Sequence, residues 1–323
     1  MAVHTKISRE QLANHLLNYN IGELLDFQEI VEGIDNSNFI IKTSKNKFIF
    51  TIFEARINVD SLPYFINLKK HLQLQGIPCP KPIEGNNGEI ILNFANKKST
   101  IVSFLDGVSL KPKEDGYYYN ITVDHCYQIG EILAKMHLAT LSYKLHRDND
   151  LAIDGLQKLF YKFQDLLQNY DQEIFSLITQ EISVIKKSWN HNLQSSACHL
   201  DLFPDNVFFQ DDKISAVIDF YFSANDLLIY DLAIVINAWC FDKTIFNQEK
   251  FLSLVNGYKK IKKLSIEEII FLPTALKCAS MRFLITRLHD YFFTPKNSLV
   301  KVKDPQEYKA KLKFFINNKI NFS

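Results

Sequence analysis

Three oxygen-bearing side chains at fixed spacing carry the first chemical signal in this chain. Asp201 lies two residues after His199 and five before Asn206, within Ala197-Cys-His-Leu-Asp-Leu-Phe-Pro-Asp-Asn-Val-Phe-Phe209. Asp219 follows on the apolar run Val217-Ile-Asp-Phe220. Moving a phosphoryl group from ATP to an alcohol needs few protein groups: one carboxylate beside the acceptor hydroxyl, and two oxygen ligands that hold magnesium against the phosphates. Asp201 is the candidate catalytic base, and Asn206 and Asp219 are the candidate Mg2+ ligands. A lone Asp or Asn in a polar loop is often only a turn residue. Asp219 has a weaker plain reading, because a carboxylate inside Ala216-Val-Ile-Asp-Phe-Tyr-Phe222 has no apolar role and is costly to bury without a partner.

Other groups extend the set. His199 reads as a scaffold residue bonding to backbone near Asp219 rather than as an acid or base. Gly33-Ile-Asp-Asn-Ser-Asn38 reads as a hairpin tip whose backbone N–H groups, at Gly33, Asn36, Ser37 and Asn38, approach an anion such as the ATP phosphates. Arg282 and Arg287 lie on one expected helix. Arg287 is spaced to pair with Asp290 at i,i+3; the functional alternative is that Arg282 or Arg287 grips a carboxylate on the acceptor. Asp226 or Asp231 would then hold a substrate amine, or else brace helices.

The elements that must position these groups change character along the chain. Ser8-Arg-Glu-Gln11 forms a capping box that opens a short helix. Strand-like runs follow at 27–31, 39–43 and 48–53, then a helix over 61–75 that Gly76-Ile-Pro-Cys-Pro80 stops, then two strands at 89–94 and 99–105. After Asp106-Gly107 helical spacing dominates, at 123–138, 155–167, 171–187, 246–259, 265–271 and 274–293. A short β-rich insert at 206–220 interrupts it, turning at Asp211-Asp212. This predicts an α+β chain with an N-terminal nucleotide-binding domain at 1–105 and a helical catalytic and substrate domain at 106–323.

Bulk composition narrows the classes. The 47% hydrophobic and 23% charged content describes a folded chain rather than a disordered one. A formal net charge of +1 gives no electrostatic reason to expect a nucleic-acid or anionic-membrane partner. The apolar segment 216–241 carries Asp219, Asp226 and Asp231, which argues for a protein core over a membrane span. Five cysteines without Cys-x-x-Cys spacing predict buried thiols in a reducing cytoplasm, and no signal peptide is expected.

These residues together resemble a family. The chain is similar, nearly end to end, to the homoserine kinases of the aminoglycoside/choline phosphotransferase superfamily, relatives of protein kinases. The superfamily mark is His199-Leu-Asp-Leu-Phe-Pro-Asp-Asn206 with Ile218-Asp-Phe220. Asp219-Phe-Tyr-Phe222, Asn237-Ala-Trp-Cys-Phe241 and Thr286-Arg-Leu288 point to homoserine kinases in particular, alongside Thr51-Ile-Phe-Glu54, Tyr230-Asp-Leu-Ala233 and Lys303-Asp-Pro-Gln-Glu-Tyr308.

The resemblance implies a bilobal protein-kinase-like fold with a small antiparallel-sheet N-lobe and a mostly helical C-lobe. It implies ATP-dependent phosphorylation of the L-homoserine hydroxyl, a step toward threonine, with Asp201 as base and Asn206 and Asp219 on magnesium. Adenine would lie at Val102-Ser-Phe-Leu105, against backbone groups of Ser103 and Leu105. One departure stands out. The third strand carries Thr51 where such kinases place a phosphate-holding Lys or Arg, and the next helix shows Tyr64-Phe-Ile-Asn67 where a partner Glu belongs. Joint loss is coherent, since losing one half would strand a charge. Phosphate neutralisation then falls to magnesium, hairpin amides, or a Lys such as Lys42. Two rivals remain at this level. One is a kinase of choline, ethanolamine or an aminoglycoside, in which Tyr221, Phe222, Tyr230 and Trp239 would supply an aromatic cage. The other is a non-catalytic nucleotide-binding module. No obligatory protein partner is indicated.

Overall fold

The computed structural model describes residues 5–30, 36–54, 58–295 and 302–320. They form two compact units, divided between Gly107 and Val108, with 302–320 joining the second.

The first unit is an antiparallel sheet with two helices. Helix α1 (Arg9–Leu16) opens on the Ser8 capping box. Strands β1 (Leu24–Ile30), β2 (Asn36–Thr43) and β3 (Lys47–Phe53) follow, then helix α2 (Leu62–Leu74), with Pro63 in its first turn, where a missing N–H is harmless. Strands β4 (Leu92–Phe94) and β5 (Lys97–Ser103) complete a sheet of order β1-β2-β3-β5-β4. Period-two alternation sends Phe39, Ile41, Phe48, Phe50, Ile52 and Ile101 into one buried cluster with Leu12 and Leu16 of α1. Because Asn38 pairs with Thr51 and Ser37 with Ile52, Thr51 faces away from that cluster and Ser37 faces toward it.

The second unit is mostly helical. A two-residue strand β6 (Val108–Ser109) leads to α3 (Val123–Thr140), α4 (Ile153–Tyr161), α5 (Gln164–Tyr170) and α6 (Gln172–Ser188). Strand β7 (Ser195–Cys198), the hairpin β8 (Val207–Gln210) and β9 (Lys213–Val217), and β10 (Ala224–Leu227) come next. Then follow α7 (Leu228–Trp239), the small hairpin β11 (Phe241–Asp242) and β12 (Ile245–Phe246), α8 (Gln248–Ile261), α9 (Ile266–Phe293) and α10 (Gln306–Asn317). Every residue of α7 is buried, and it packs on α9, which also meets α4, α6 and α10. Helices α3 and α8 approach closely through Gly130 and Gly257. A Cβ at Gly130 would sit 2.0 Å from the Leu254 carbonyl oxygen, and one at Gly257 2.1 Å from that of Tyr127.

Several boundaries differ from the sequence expectation. The helix expected over 155–167 is two helices, broken at Lys162–Phe163. The pair expected on either side of Pro273 is the single helix α9, which carries Pro273 inside it. Proline leaves the Ile269 carbonyl without its helical N–H, and burial of α9 among its neighbours outweighs that loss. Helices α7 and α10 had not been expected as helices. Among the described residues α9 is the one helix long and apolar enough to cross a membrane, and most of its apolar stretch is buried inside its own unit. All five cysteines are buried and unpaired.

Candidate active site

Short strands set the site's register. Strand β7 pairs antiparallel with β10, so Ser196 lies opposite Asp226, and β7 runs straight into His199. Hairpin β8–β9 is closed by Asp211 and Asp212, both at positive φ as a tight turn between twisted strands requires. Its register brings the residue before β8 beside the residues after β9. The Ile218 N–H donates to the Asn206 carbonyl at 2.9 Å, which fixes Asn206 next to the backbone that carries Asp219.

The loop between β7 and β8 is held from beneath by one carboxylate. Asp231, fully buried on α7, accepts the N–H of His199 at 2.9 Å and that of Leu200 at 2.8 Å. It also meets His137 Nε2 at 3.1 Å, and His137 Nδ1 meets the Tyr258 hydroxyl at 2.8 Å. Burial opposes the charge on Asp231, yet the hydrogen bond and charge of His137 and the contacts of His199 hold its pKa below the usual range. Asp231 is therefore the brace left open as one alternative above. Within this grip Leu200 is held at φ +62, a region that costs a branched side chain of order 1–3 kcal/mol.

His199 is buried and ties the loop to the Asp219 strand. Its Nε2 lies 3.0 Å from the Ile218 carbonyl, and its Nδ1 accepts the Asp201 N–H at 3.2 Å. One ring nitrogen must donate and the other accept, so the imidazole is neutral with its proton on Nε2. Burial lowers its pKa and favours that state. This is the scaffold position read from its spacing.

Asp201 sits half-buried at the loop's centre. Burial pushes its carboxyl up to about 7; Arg282 pulls it down and the nearby Asp219 charge raises it. The Asn206 amide Nδ2 donates to the Asp201 carbonyl at 2.8 Å and lies 3.4 Å from its Oδ2. Both partners are acceptors, so the nitrogen must face them and Oδ1 is the end turned away. Asp219 is exposed. It follows the end of β9 and adopts φ 63, ψ 66. Asp201, Asn206 and Asp219 thus come together. Asn206 Oδ1 and the Asp219 carboxylate are hard-oxygen donors, the kind of ligand Mg2+ takes.

The residues proposed to face the acceptor, Asp226, Arg282 and Arg287, and the aromatic Tyr230 fare differently. Asp226 accepts from Asn149 Nδ2 at 2.6 Å and from the Leu227 N–H at 2.7 Å, and burial raises its pKa. Tyr230 is fully enclosed, edge-on to Trp189 at 5.4 Å and beside Cys278. Arg282 is 1% exposed, flanked by the Phe222 and Phe283 rings at 5.7 and 5.1 Å. Its Nε and Nη1 have no hydrogen-bond partner among the described residues. Arg287 does not pair with Asp290. Its Nη1 donates to Glu307 Oε2 and to the Asp304 carbonyl, each at 2.7 Å, because α10 packs on α9 and supplies a more enclosed partner than the exposed i,i+3 neighbour.

In the first unit, Gly33 lies outside the described residues. Asn36, Ser37 and Asn38 belong to β2 rather than to a hairpin tip, because pairing with β3 runs out to Asn36 and Phe53. Ser37 Oγ donates to Glu54 at 2.6 Å, and Asn36 Oδ1 accepts the Glu54 N–H at 3.4 Å. Thr51 donates to Asn38 Oδ1 at 2.8 Å. Ser103 ends β5, its N–H and hydroxyl both bonded to Lys81, and Leu105 lies beyond the ladder. Lys42 is exposed four residues along β2 from Asn38, roughly 13 Å at strand rise. An ion pair that sequence reasoning missed joins Lys97 to Glu54, with the Thr5 and Ser37 hydroxyls on the same carboxylate. It lies on the Ser37 side of the sheet, opposite Thr51.

Comparison with known proteins bears on this geometry. Residues 26–260 match the model of the phosphotransferase enzyme family. A homoserine kinase of Rhodospirillum rubrum is 41% identical over 315 residues, covering 97% of this chain and 96% of its own length. One from Rhizobium etli is 38% identical with the same coverage. Among solved structures, an amicoumacin kinase in complex with AMP-PNP and Ca2+ superposes with a TM-score of 0.72 at 14% identity, over 97% of this chain and 95% of that one. A microcompartment-associated aminopropanol kinase gives 0.71 at 12% identity, over 98% and 100%. These two likenesses concern the fold, which is α+β with a protein-kinase-like arrangement of elements.

Proposed function

The chain belongs to the phosphotransferase enzyme family, and from that membership and the loop geometry we propose that it is a homoserine kinase, transferring the γ-phosphoryl group of ATP to the side-chain hydroxyl of L-homoserine. The observation that carries the reading is the join of Asp201 to Asn206 beside Asp219, in a chain about 40% identical over nearly its full length to homoserine kinases.

Asp201 orients the acceptor hydroxyl and takes its proton as the new oxygen–phosphorus bond forms and the bond to the ADP oxygen breaks. The products are O-phospho-L-homoserine and ADP. Asn206 Oδ1 and the Asp219 carboxylate are the donors that would hold Mg2+, which when bound neutralises charge on the phosphate oxygens. Asp231 and His199 position Asp201 without touching the reacting atoms. In the first unit, Thr51 is hydrogen-bonded to Asn38 and brings no charge to its strand position. The backbone at Leu105, beyond the ladder, would receive adenine, the Ser103 N–H being held by the Lys81 carbonyl. Arg287, engaged by Glu307, supports the fold near the acceptor rather than gripping it. The reaction is a step of threonine synthesis in the cytoplasm, a compartment that suits five unpaired thiols.

The test is a coupled ADP-release assay over L-homoserine, choline, ethanolamine and an aminoglycoside. Homoserine should be turned over far faster than the rest. Preference for choline would favour an aromatic cage, and silence with every acceptor would favour a non-catalytic nucleotide-binding module.

A further inference from the structure

Arg282 is the most unusual side chain in the second unit. It is 1% exposed, yet no hydrogen bond or ion pair engages its guanidinium among the described residues, and its Nε and Nη1 are buried and unpartnered. A buried, unpaired guanidinium is strongly unfavourable unless something completes it. The Phe222 and Phe283 rings beside it offer only their faces. A second orphan lies near. The Tyr308 hydroxyl is fully buried with no partner, and its ring is fixed against Phe283, Arg287 and Lys311 at 5.0, 4.5 and 4.6 Å. Phe222 lies three residues after Asp219, and the Phe283 ring that both groups touch packs on Phe203, two residues after Asp201, at 5.0 Å; the charges of Asp201 and Asp226 are felt at Arg282.

We propose that Arg282 and the Tyr308 hydroxyl grip the α-carboxylate of the acceptor while Asp226 faces its α-ammonium, so that the site selects hydroxy amino acids over simple amino alcohols. The proposal rests on the kinase reading above and names the residues that set its substrate class. Arg287 is excluded by its bonds to Glu307 and Asp304. The guanidinium's planar fork matches a carboxylate in two parallel hydrogen bonds. Asp226 is already held by Asn149 and the Leu227 N–H, and an ammonium would offset the burial of its charge. Homoserine carries both charges on one carbon, two carbons from the hydroxyl, so one Arg and one Asp near Asp201 suffice.

The experiment compares kcat/KM for L-homoserine and for 3-aminopropan-1-ol, which is homoserine with hydrogen in place of the carboxylate. Wild-type protein should prefer homoserine by about 10²-fold or more, because a buried polar site rejects an analogue that leaves it unpaired. Arg282→Met should shrink that preference by about 10²-fold, Arg282→Lys by less, and Tyr308→Phe by about tenfold or less. For Asp226→Asn the matching comparison is homoserine against 4-hydroxybutanoate, whose ratio should fall. An unchanged homoserine preference in Arg282→Met overturns the proposal. Should that variant not fold, an unchanged preference in Arg282→Lys, or a wild-type ratio near one, overturns it equally. L-Serine in the same assay separates the two readings. Preference for serine over homoserine would revise the named acceptor and leave this proposal standing, whereas preference for an acceptor without a carboxylate would end it.

Discussion

Asp231 Oδ1 accepts the backbone N–H of Leu200 at 2.8 Å, and Leu200 is held there at φ +62. The contact makes a residue on α7 responsible for the shape of a loop 31 positions earlier in sequence, as the adjoining bond from the His199 N–H repeats. Removing the charge should loosen the loop that presents Asp201. Asp231→Asn should lower unfolding free energy by about 3–5 kcal/mol, the usual cost of breaking a buried ionic contact, and should lower kcat as well. Urea denaturation with steady-state kinetics checks both, and unchanged stability would mean the carboxylate is not the brace.

The same carboxylate predicts a pH dependence. Its folded pKa lies below the ordinary value despite burial. Such a group contributes stability that is fully present above the unfolded pKa, about 3.9 for Asp. That stability is lost as pH falls through the folded pKa. The stability gap between wild type and Asp231→Asn should therefore be constant from pH 5 to neutrality, in rough terms, and narrow below about pH 4. Chemical denaturation across that range measures it, and a gap that widened on acidification would reverse the assignment.

Asp201→Asn should keep nucleotide affinity while turnover falls by about 10²–10⁴-fold. Nucleotide titration beside the ADP-release assay separates the two effects. Full turnover in this variant would remove Asp201 from proton transfer.

Asp219→Ala should abolish the magnesium dependence of nucleotide binding. The readout is nucleotide affinity with and without magnesium, and a retained magnesium effect would move the metal to other ligands.

Glu307→Gln tests the contrast between the two arginines of α9. Glu307 bonds Arg287 at 2.7 Å and Lys311 at 2.6 Å, all three largely buried. The variant should lower stability by about 3–5 kcal/mol and leave the ratio of homoserine to 3-aminopropan-1-ol turnover near its wild-type value. A collapsed ratio would bring Arg287 back as an acceptor contact.

What could be read beforehand follows from how local each signal is. The Ser8 capping box, the period-two strands and the Gly76–Pro80 stop are written in a few adjacent residues, and the elements appeared where those residues stand. The Asp201–Asn206 spacing is also local, because a tight loop and a short hairpin leave little freedom between its ends. Helix α7 was invisible because all its faces are buried, which erases the 3.6-residue contrast that marks a helix. Helix α10 leaves a legible trace in Tyr308, Leu312 and Phe315, spaced four and three apart.

By itself the sequence determined the chemistry on offer: a base, two hard-oxygen ligands, and a chain built as a strand-rich first part and a helical second. Tertiary structure alone decided which charges were already matched. Arg282 and Arg287 lie five residues apart on one helix and look equivalent in the chain. Docking of α10 gave Arg287 a carboxylate and a carbonyl, and left Arg282 buried against the Phe222 and Phe283 rings with its Nε and Nη1 unpartnered among the described residues. Pairing and burial depend on residues far away in sequence, and those distances exist only once the helices have packed.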